Sequence, residues 1–238
     1  MKALTLAFQD DPRFAELKKH RDESGGIHHV WGMDRRITPL LMEALSDTKR
    51  FRLIVTYEER RAREIVEDYR FYSRQTFYYP AKDALFYSAD IHSNNTVQER
   101  LEIFKKIAEG RPCTVVTTIE GLMDKIPSIS HIIENILTIK VGDTLQLDTF
   151  SRKLTTLGYE KTSIVETPGQ FSVRGGIIDI FSLTEECPYR VELWGDDIDS
   201  IRSFDVESQR SMERVEEFVI YPSTEMVLDD VRISKGIA

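Results

Sequence analysis

Alternating apolar and polar positions predict a series of β-strands between residues 168 and 211. The segment 189–194 shows this most clearly, because its residues fall into two sets that point to opposite faces of a strand. The apolar set is Tyr189, Val191 and Leu193, and the opposite set is Arg190, Glu192 and Trp194. Since the core takes the apolar set, we expect the second set, with its large aromatic ring, to face water.

The neighbouring segments extend this sheet. The turn residues at 195–197 predict a hairpin, and 199–205 is the expected return strand. Upstream, Phe171 and Val173 alternate with Ser172 and Arg174, which places Arg174 on an outward face as well. A solvent-facing tryptophan near arginines has the composition of an interaction hot spot.

The first part of the chain follows a different rhythm, in which strands and helices alternate. Strands are predicted at 27–31, 51–57, 75–79 and 114–118, and helices at 11–20, 37–45, 58–70, 96–109 and 121–125. This alternation is typical of a parallel α/β sheet. Trp31 has apolar neighbours and is expected in the core.

The rhythm changes near Lys140. A helix at 148–157 ends at Gly158, and the strands that follow predict a mainly antiparallel α+β unit. We therefore expect a first domain at 1–140 and a second at 141–222. Residues 223–238 are expected to begin a return into the first domain that is cut off before it is complete.

The acidic excess of the chain is concentrated in the predicted second domain. The net charge is −8, and the segment 141–222 alone holds 16 Asp and Glu against 8 Lys and Arg, which is also −8. An acidic module repels phosphate backbones, so direct binding of nucleic acid is not expected.

The cysteines, histidines and apolar runs of the sequence bear on metal binding and on the location of the protein in the cell. Two cysteines, Cys113 and Cys187, cannot form a metal site alone and are expected to be reduced thiols of a cytoplasmic protein. The adjacent His28 and His29 would point to opposite faces of a strand and cannot share a metal. No apolar run is long enough to span a bilayer, and the N-terminus does not have the pattern of a signal peptide.

The loop at 32–39 decides whether the first domain can bind nucleotide. A phosphate-binding loop of an α/β domain has the pattern G-x-x-x-x-G-K-[ST], in which lysine neutralises the phosphate charge. Here the sequence GMDRRITP contains one glycine, no Gly-Lys pair and an aspartate that would face the phosphates. We expect no catalytic residues, no cofactor and no ATP hydrolysis from this chain.

Three motifs carry a resemblance to a known family. The segments GQFSVRGGIIDIF, PYRVELWGDDIDSIRSFD and ESQRS resemble the module shared by the excision-repair helicase UvrB and the bacterial transcription-repair coupling factors (Mfd). UvrB has an intact phosphate-binding loop, whereas the N-terminal module of the coupling factors has a degenerate one, so the loop at 32–39 favours the coupling factors. The segment 80–95, with Phe86 and Tyr87, is also too short for the DNA-threading aromatic hairpin of UvrB.

The resemblance implies a fold and a function. The expected fold is α/β: a degenerate P-loop-NTPase-like parallel sheet domain followed by a smaller, mainly antiparallel α+β domain. The expected function is a non-catalytic adaptor that recruits the damage-recognition ATPase UvrA to stalled RNA polymerase. The resemblance assigns Arg174, Arg190 and Trp194 to the UvrA-docking surface, and it implies masking of that surface by a C-terminal domain of the full-length protein.

Two alternatives remain open at this stage. The chain could be a fragment of a UvrB-type ATP-dependent DNA repair helicase, which a nucleotide-binding assay would reveal. It could instead be an unrelated acidic interaction domain, an interpretation that would gain if the face with the arginines and the tryptophan were buried.

Overall fold

The computed structural model describes residues 8, 10–24, 26–46, 50–82 and 92–227. The described residues fall into two compact units. The first consists of residues up to Lys82 together with Pro112–Asp124, and the second of Asp83–Arg111 and Lys125–Ala238. The domain bounds expected from the sequence, 1–140, 141–222 and 223–238, stay a prediction.

The fold is mixed α/β, with a parallel and an antiparallel sheet in different units. The helices are α1 (Pro12–Ser24), α2 (Thr38–Leu45), α3 (Glu59–Arg70), α4 (His92–Ala108), α5 (Ile119–Met123), α6 (Ile129–Glu134) and α7 (Leu147–Thr156). The strands are β1 (Arg52–Thr56), β2 (Thr76–Tyr79), β3 (Thr114–Thr118), β4 (Leu137–Lys140), β5 (Glu160–Lys161), β6 (Gln170–Arg174), β7 (Ile177–Ile180), β8 (Tyr189–Trp194), β9 (Asp197–Phe204), β10 (Ser211–Val215) and β11 (Glu217–Ile220).

The first unit is built on a three-stranded parallel sheet in the order β1-β3-β2. Helix α3 covers one face of this sheet, because its apolar positions recur at helical spacing. Its Ala62 and Val66 are buried together with Tyr78 and Val116 of the strands. The predicted parallel pairing is therefore confirmed for β1, β2 and β3.

Two sequence expectations for the first unit are wrong. The segment 27–31 forms no strand, and Trp31 is 86% exposed instead of lying in the core. Strand β1 is half-buried on one face, whereas the alternate residues at positions 51, 53, 55 and 57 are exposed. Strand β1 lies at an edge of the sheet, and α3 packs against only one of its faces.

The second unit contains a six-stranded sheet in the order β10-β9-β8-β7-β6-β5. All of its pairs are antiparallel except β5 with β6, so the predicted mainly antiparallel unit is confirmed. A separate two-stranded ribbon pairs β4 with β11. The hairpin predicted at 195–197 joins β8 to β9.

The core of the second unit lies on one face of the six-stranded sheet. Phe171, Ile178, Val191 and Ile201, one from each of four neighbouring strands, are completely buried there. Helix α7 packs its apolar side against them, as its residue Leu154 is also completely buried. This arrangement leaves the opposite face of the sheet for polar residues.

Helix α4 belongs to the second unit and is fixed there by polar contacts. Arg100 and Glu225 form a buried ion pair in which both nitrogens Nε and Nη2 donate to the carboxylate. Lys105 Nζ lies 2.7 Å from Glu185 Oε1. A buried pair of this kind contributes through the cost of leaving either charge alone.

One helix was not predicted from the sequence, and some of the predicted residues lie outside the described part of the chain. Helix α6, capped by the hydroxyl of Ser128, was not predicted. Phe86, Tyr87 and residues 228–238 lie outside the described residues. Among the described helices none is long and apolar enough to cross a membrane. In the same part of the chain no group of three His, Cys, Asp or Glu is placed to hold a metal ion.

Replacing Glu225 by glutamine tests the contribution of α4 to the second unit. The substitution leaves the buried guanidinium of Arg100 without a counter-charge, and we expect it to lower the free energy of unfolding by about 3 kcal/mol. Urea unfolding followed by circular dichroism measures the change. The matched control is Glu217→Gln, because Glu217 pairs with Lys140 at the surface and its loss should cost no more than about 0.5 kcal/mol. Equal costs for the two variants would show that the buried pair does not stabilise the unit.

Candidate protein-docking site

The face of the six-stranded sheet opposite the core carries the predicted site residues. We call it the polar face and define it by Arg174 of β6, Asp179 of β7, and Arg190, Glu192 and Trp194 of β8. The strand register places Arg174 beside Ile177, and Ile177 beside Glu192. The predicted alternation in β8 is confirmed, because Val191 is completely buried in the core on the other face.

Two tight turns lie at the same end of the sheet and bring Arg174 and Trp194 to it. One turn, at Gly175-Gly176, joins β6 to β7, and the other, at Gly195-Asp196, joins β8 to β9. The backbone N–H of Leu193 donates to Gly176 O at 2.8 Å, which ties the two turns together. Gly195 has a φ of +64°, as the first position of a type II′ hairpin turn requires.

Trp194 is presented to solvent at this end of the sheet. It is 85% exposed, although it belongs to a regular strand whose other residues are buried or half-buried. The side chain of Arg174 is 45% exposed on the same face. An exposed indole and a partly exposed guanidinium on one face of a sheet offer a protein partner an apolar anchor and a charged contact.

A completely buried carboxylate lies in the middle of the polar face. Asp179 is 0% exposed and receives both arginines. Arg190 donates from Nε to Oδ1 at 2.7 Å and from Nη2 to Oδ2 at 2.9 Å, a bidentate geometry. Arg174 donates from Nη2 to Oδ2 at 2.5 Å. The hydrogen bond from Arg190 to Asp179 raises the pKa of the Arg190 guanidinium, so Arg190 stays charged.

The expectation that Arg190 faces water is wrong. Its side chain is only 14% exposed, although it points to the face that the alternation predicts. The reason is that the loop 205–210 folds back over the side chain of Arg190. The Nη1 group of Arg190 donates to Gln209 O at 3.2 Å, and its guanidinium lies 4.6 Å from the ring centroid of Phe204.

Sequence reasoning missed Asp179 and Gln209. The aspartate stands inside the apolar run IIDIF, and a charged residue at a strand position between isoleucines is the signal that could have found it. Gln209 belongs to the motif ESQRS and has a φ of +57°, a region that residues other than glycine rarely adopt. Glutamine at this position carries no pattern that predicts such a conformation.

The loop at 32–39 is arranged in a way that does not favour phosphate. The carboxylate of Asp34 accepts the backbone N–H of Arg36 at 2.8 Å. The carbonyl of the same residue accepts the N–H groups of Ile37 and Thr38 at 3.1 Å each. The amides that begin α2 are thus engaged beside a negative charge, which opposes the binding of an anion there.

Comparison with known proteins finds a family that resembles the part of the chain containing the six-stranded sheet. The model of the UvrB interaction domain matches residues 137–226, a range that contains the whole polar face. This part of the chain is therefore similar to the UvrB interaction domain.

Longer relatives match both units. A transcription-repair-coupling factor of Staphylococcus aureus (strain USA300) is 30% identical over 236 residues, which is 98% of this chain and 20% of the relative. A transcription-repair-coupling factor of Bacillus subtilis (strain 168) is 29% identical over 185 residues, which is 77% of this chain and 16% of the relative. The resemblance indicated by the sequence motifs is confirmed, and the chain spans about a fifth of the length of the curated relatives it matches.

The two substitutions Arg190→Ala and Trp194→Ala should distinguish a buried from an exposed side chain on the polar face. Arg190→Ala leaves the buried Asp179 with Arg174 alone, and we expect the free energy of unfolding to fall by about 3 kcal/mol. Trp194→Ala removes an exposed ring and should change the free energy by no more than about 0.5 kcal/mol. Urea unfolding monitored by circular dichroism compares them, and coincident transitions for both variants would contradict the assigned burial of Arg190.

Proposed function

We propose that this chain is a non-catalytic adaptor module of transcription-coupled nucleotide excision repair, and that its polar face docks UvrA. The resemblance assigns Arg174, Arg190 and Trp194 to UvrA docking. The observation that carries the proposal is the 85% exposure of Trp194 on the same face as the partly exposed Arg174, within the range that matches the UvrB interaction domain. In the cytoplasm, a full-length protein that contains this module would bring UvrA to stalled RNA polymerase.

The proposed surface is small and rigid, which suits a specific contact. Trp194 and Arg174 sit on β8 and β6, which both pair with β7 and end at tight turns, so little backbone freedom is lost when a partner binds. Interfaces concentrate their binding energy in a few residues, and tryptophan and arginine are the most frequent of them. The acidic excess around the face makes nucleic acid an unsuitable direct ligand.

Other parts of the proposal rest on the relatives. The coupling factors are about five times longer than this chain, so any DNA translocation by the whole protein would come from regions beyond these 238 residues. We also propose that a C-terminal domain of the full-length protein covers the polar face until docking is needed. We further propose that the first unit is a degenerate P-loop-NTPase-like domain.

Binding of purified UvrA to Trp194→Ala tests the docking face. We expect the dissociation constant to rise about 30-fold, equivalent to about 2 kcal/mol, because a central apolar anchor is lost. Arg174→Ala should weaken binding to a similar extent through loss of a charged contact. Biolayer interferometry with immobilised chain measures both.

The chain contains a matched control for Trp194→Ala. Trp31 is 86% exposed, nearly the same as Trp194, but it lies in the first unit. Trp31→Ala should bind UvrA as the wild type does. Wild-type affinity of both Trp194→Ala and Arg174→Ala would place UvrA docking elsewhere and overturn the proposal.

Nucleotide binding separates the adaptor from a fragment of a UvrB-type helicase. We expect no saturable binding of ATP in isothermal titration calorimetry, because the loop 32–39 has no lysine and its amides are engaged by Asp34. A control variant, Asp34→Ala, removes the negative charge and should not create a site, since the lysine is still missing. Micromolar binding of ATP that Asp34→Ala alters would favour the helicase.

A further inference from the structure

The side chain of Asp179 is more deeply buried than any of the predicted docking residues. Its carboxylate accepts one hydrogen bond at Oδ1 and two at Oδ2, all from arginines of the two flanking strands. A buried carboxylate requires such partners, because moving an unpaired charge away from water is costly. Asp179 therefore fixes where both guanidinium groups lie.

Both guanidinium groups meet at Asp179, but the two arginines come from different strands and have different neighbours. Arg174 lies at the end of the sheet where Trp194 is exposed. Arg190 has its Nε and Nη2 groups on Asp179, and its remaining Nη1 group reaches Gln209 in the loop 205–210. Because the side chain of Arg190 is only 14% exposed, it offers a partner little direct contact. Its main contribution is the hydrogen bond that holds the loop 205–210.

The loop 205–210 is held in one conformation by several bonds. Gln209 donates from Nε2 to Val206 O at 2.8 Å and to Val165 O at 3.2 Å. Asp205 accepts the N–H of Ser208 at 2.8 Å. The left-handed backbone of Gln209 persists because these contacts over-determine it. This network gives a physical role to the ESQRS motif, which the proposed docking contacts leave unused.

We propose that Asp179 is the positioning residue of the docking surface. It fixes the guanidinium of Arg174 directly, and it fixes the loop 205–210 through Arg190, which contacts Gln209. This inference rests on the proposed function, since it assigns the loop 205–210 and Arg174 to one docking surface. It predicts that UvrA binding depends on the charge of Asp179, although the carboxylate itself is inaccessible to any partner.

The principal variant is Asp179→Asn, which preserves the size of the side chain and removes its charge. NMR spectra should show faster hydrogen exchange at Nε–H of Arg190 and at the backbone amides of residues 205–210, while the amides of Val191 and Ile201 keep their protection. At a temperature where circular dichroism shows the variant to be folded, the dissociation constant for purified UvrA should rise at least tenfold.

Ser172→Ala is the matched control. Ser172 lies directly opposite Asp179 on β6, is equally buried, and its hydroxyl has no hydrogen-bond partner among the described residues. Removing this hydroxyl leaves both arginines on Asp179. Exchange in the loop and affinity for UvrA should match the wild type, which separates positioning from a general effect of altering a buried polar group.

A second variant, Gln209→Asn, tests the loop arm alone. Asparagine tolerates the left-handed backbone but is too short to reach both carbonyls, and the ion pairs remain. We expect faster exchange of the amides of 205–210, unchanged protection of Nε–H of Arg190, and about threefold weaker binding of UvrA. If Asp179→Asn does not fold, this variant decides the loop arm, and unchanged UvrA affinity with a loosened loop would overturn it.

The outcomes distinguish this inference from the proposed function. Wild-type UvrA binding by Asp179→Asn, together with weakened binding by Trp194→Ala, would overturn the positioning role and keep the docking face. Wild-type binding by Trp194→Ala and Arg174→Ala would overturn the docking face itself. In that case, hydrogen exchange at Nε–H of Arg190 and at the amides of 205–210 still tests the role of Asp179. Exchange rates in Asp179→Asn equal to those of the wild type would overturn its positioning role.

Discussion

The buried carboxylate of Asp179 determines how three neighbouring strands are arranged. A charge out of reach of water must be neutralised by side chains, and here the cations come from β6 on one side and β8 on the other. A slip of one residue in either strand would send an arginine to the apolar face. The register of β6, β7 and β8 is thus set by electrostatics on one face and by apolar packing on the other, and the two requirements agree.

This double requirement explains why a tryptophan can stand exposed on a regular strand. Trp194 contributes little to the core, since Val191 and the other apolar side chains of the sheet already supply it. The strand is held by its backbone hydrogen bonds and by Arg190, so exposure of the ring does not weaken it. Stability and the proposed docking of UvrA therefore rest on different residues of β8, although these residues alternate along the same strand.

Much of the fold could be predicted from the sequence because local periodicity decided it. The antiparallel strands, the hairpin at Gly195 and the helix that ends before Gly158 all carry short-range signals. The burial of Arg190 could not be predicted, since it depends on a loop about fifteen residues later that folds back over the face. The prediction that Trp31 lies in the core was wrong for a related reason. Its apolar neighbours predict a strand, but no strand pairs with that segment in the described part of the chain. Periodicity gives the direction of a side chain, whereas its burial depends on what lies above it.

Helix α4 shows that the range matching a family and a compact structural unit need not share their boundaries. The match to the UvrB interaction domain begins at residue 137, yet Glu225 near its end pairs with Arg100, and Glu185 pairs with Lys105 of the same helix. A protein cut at the family boundary would retain both carboxylates and lose both cations, and one of the carboxylates is buried. Transferring residues 137–226 to another protein without this helix would therefore leave the buried carboxylate of Glu225 without its cation.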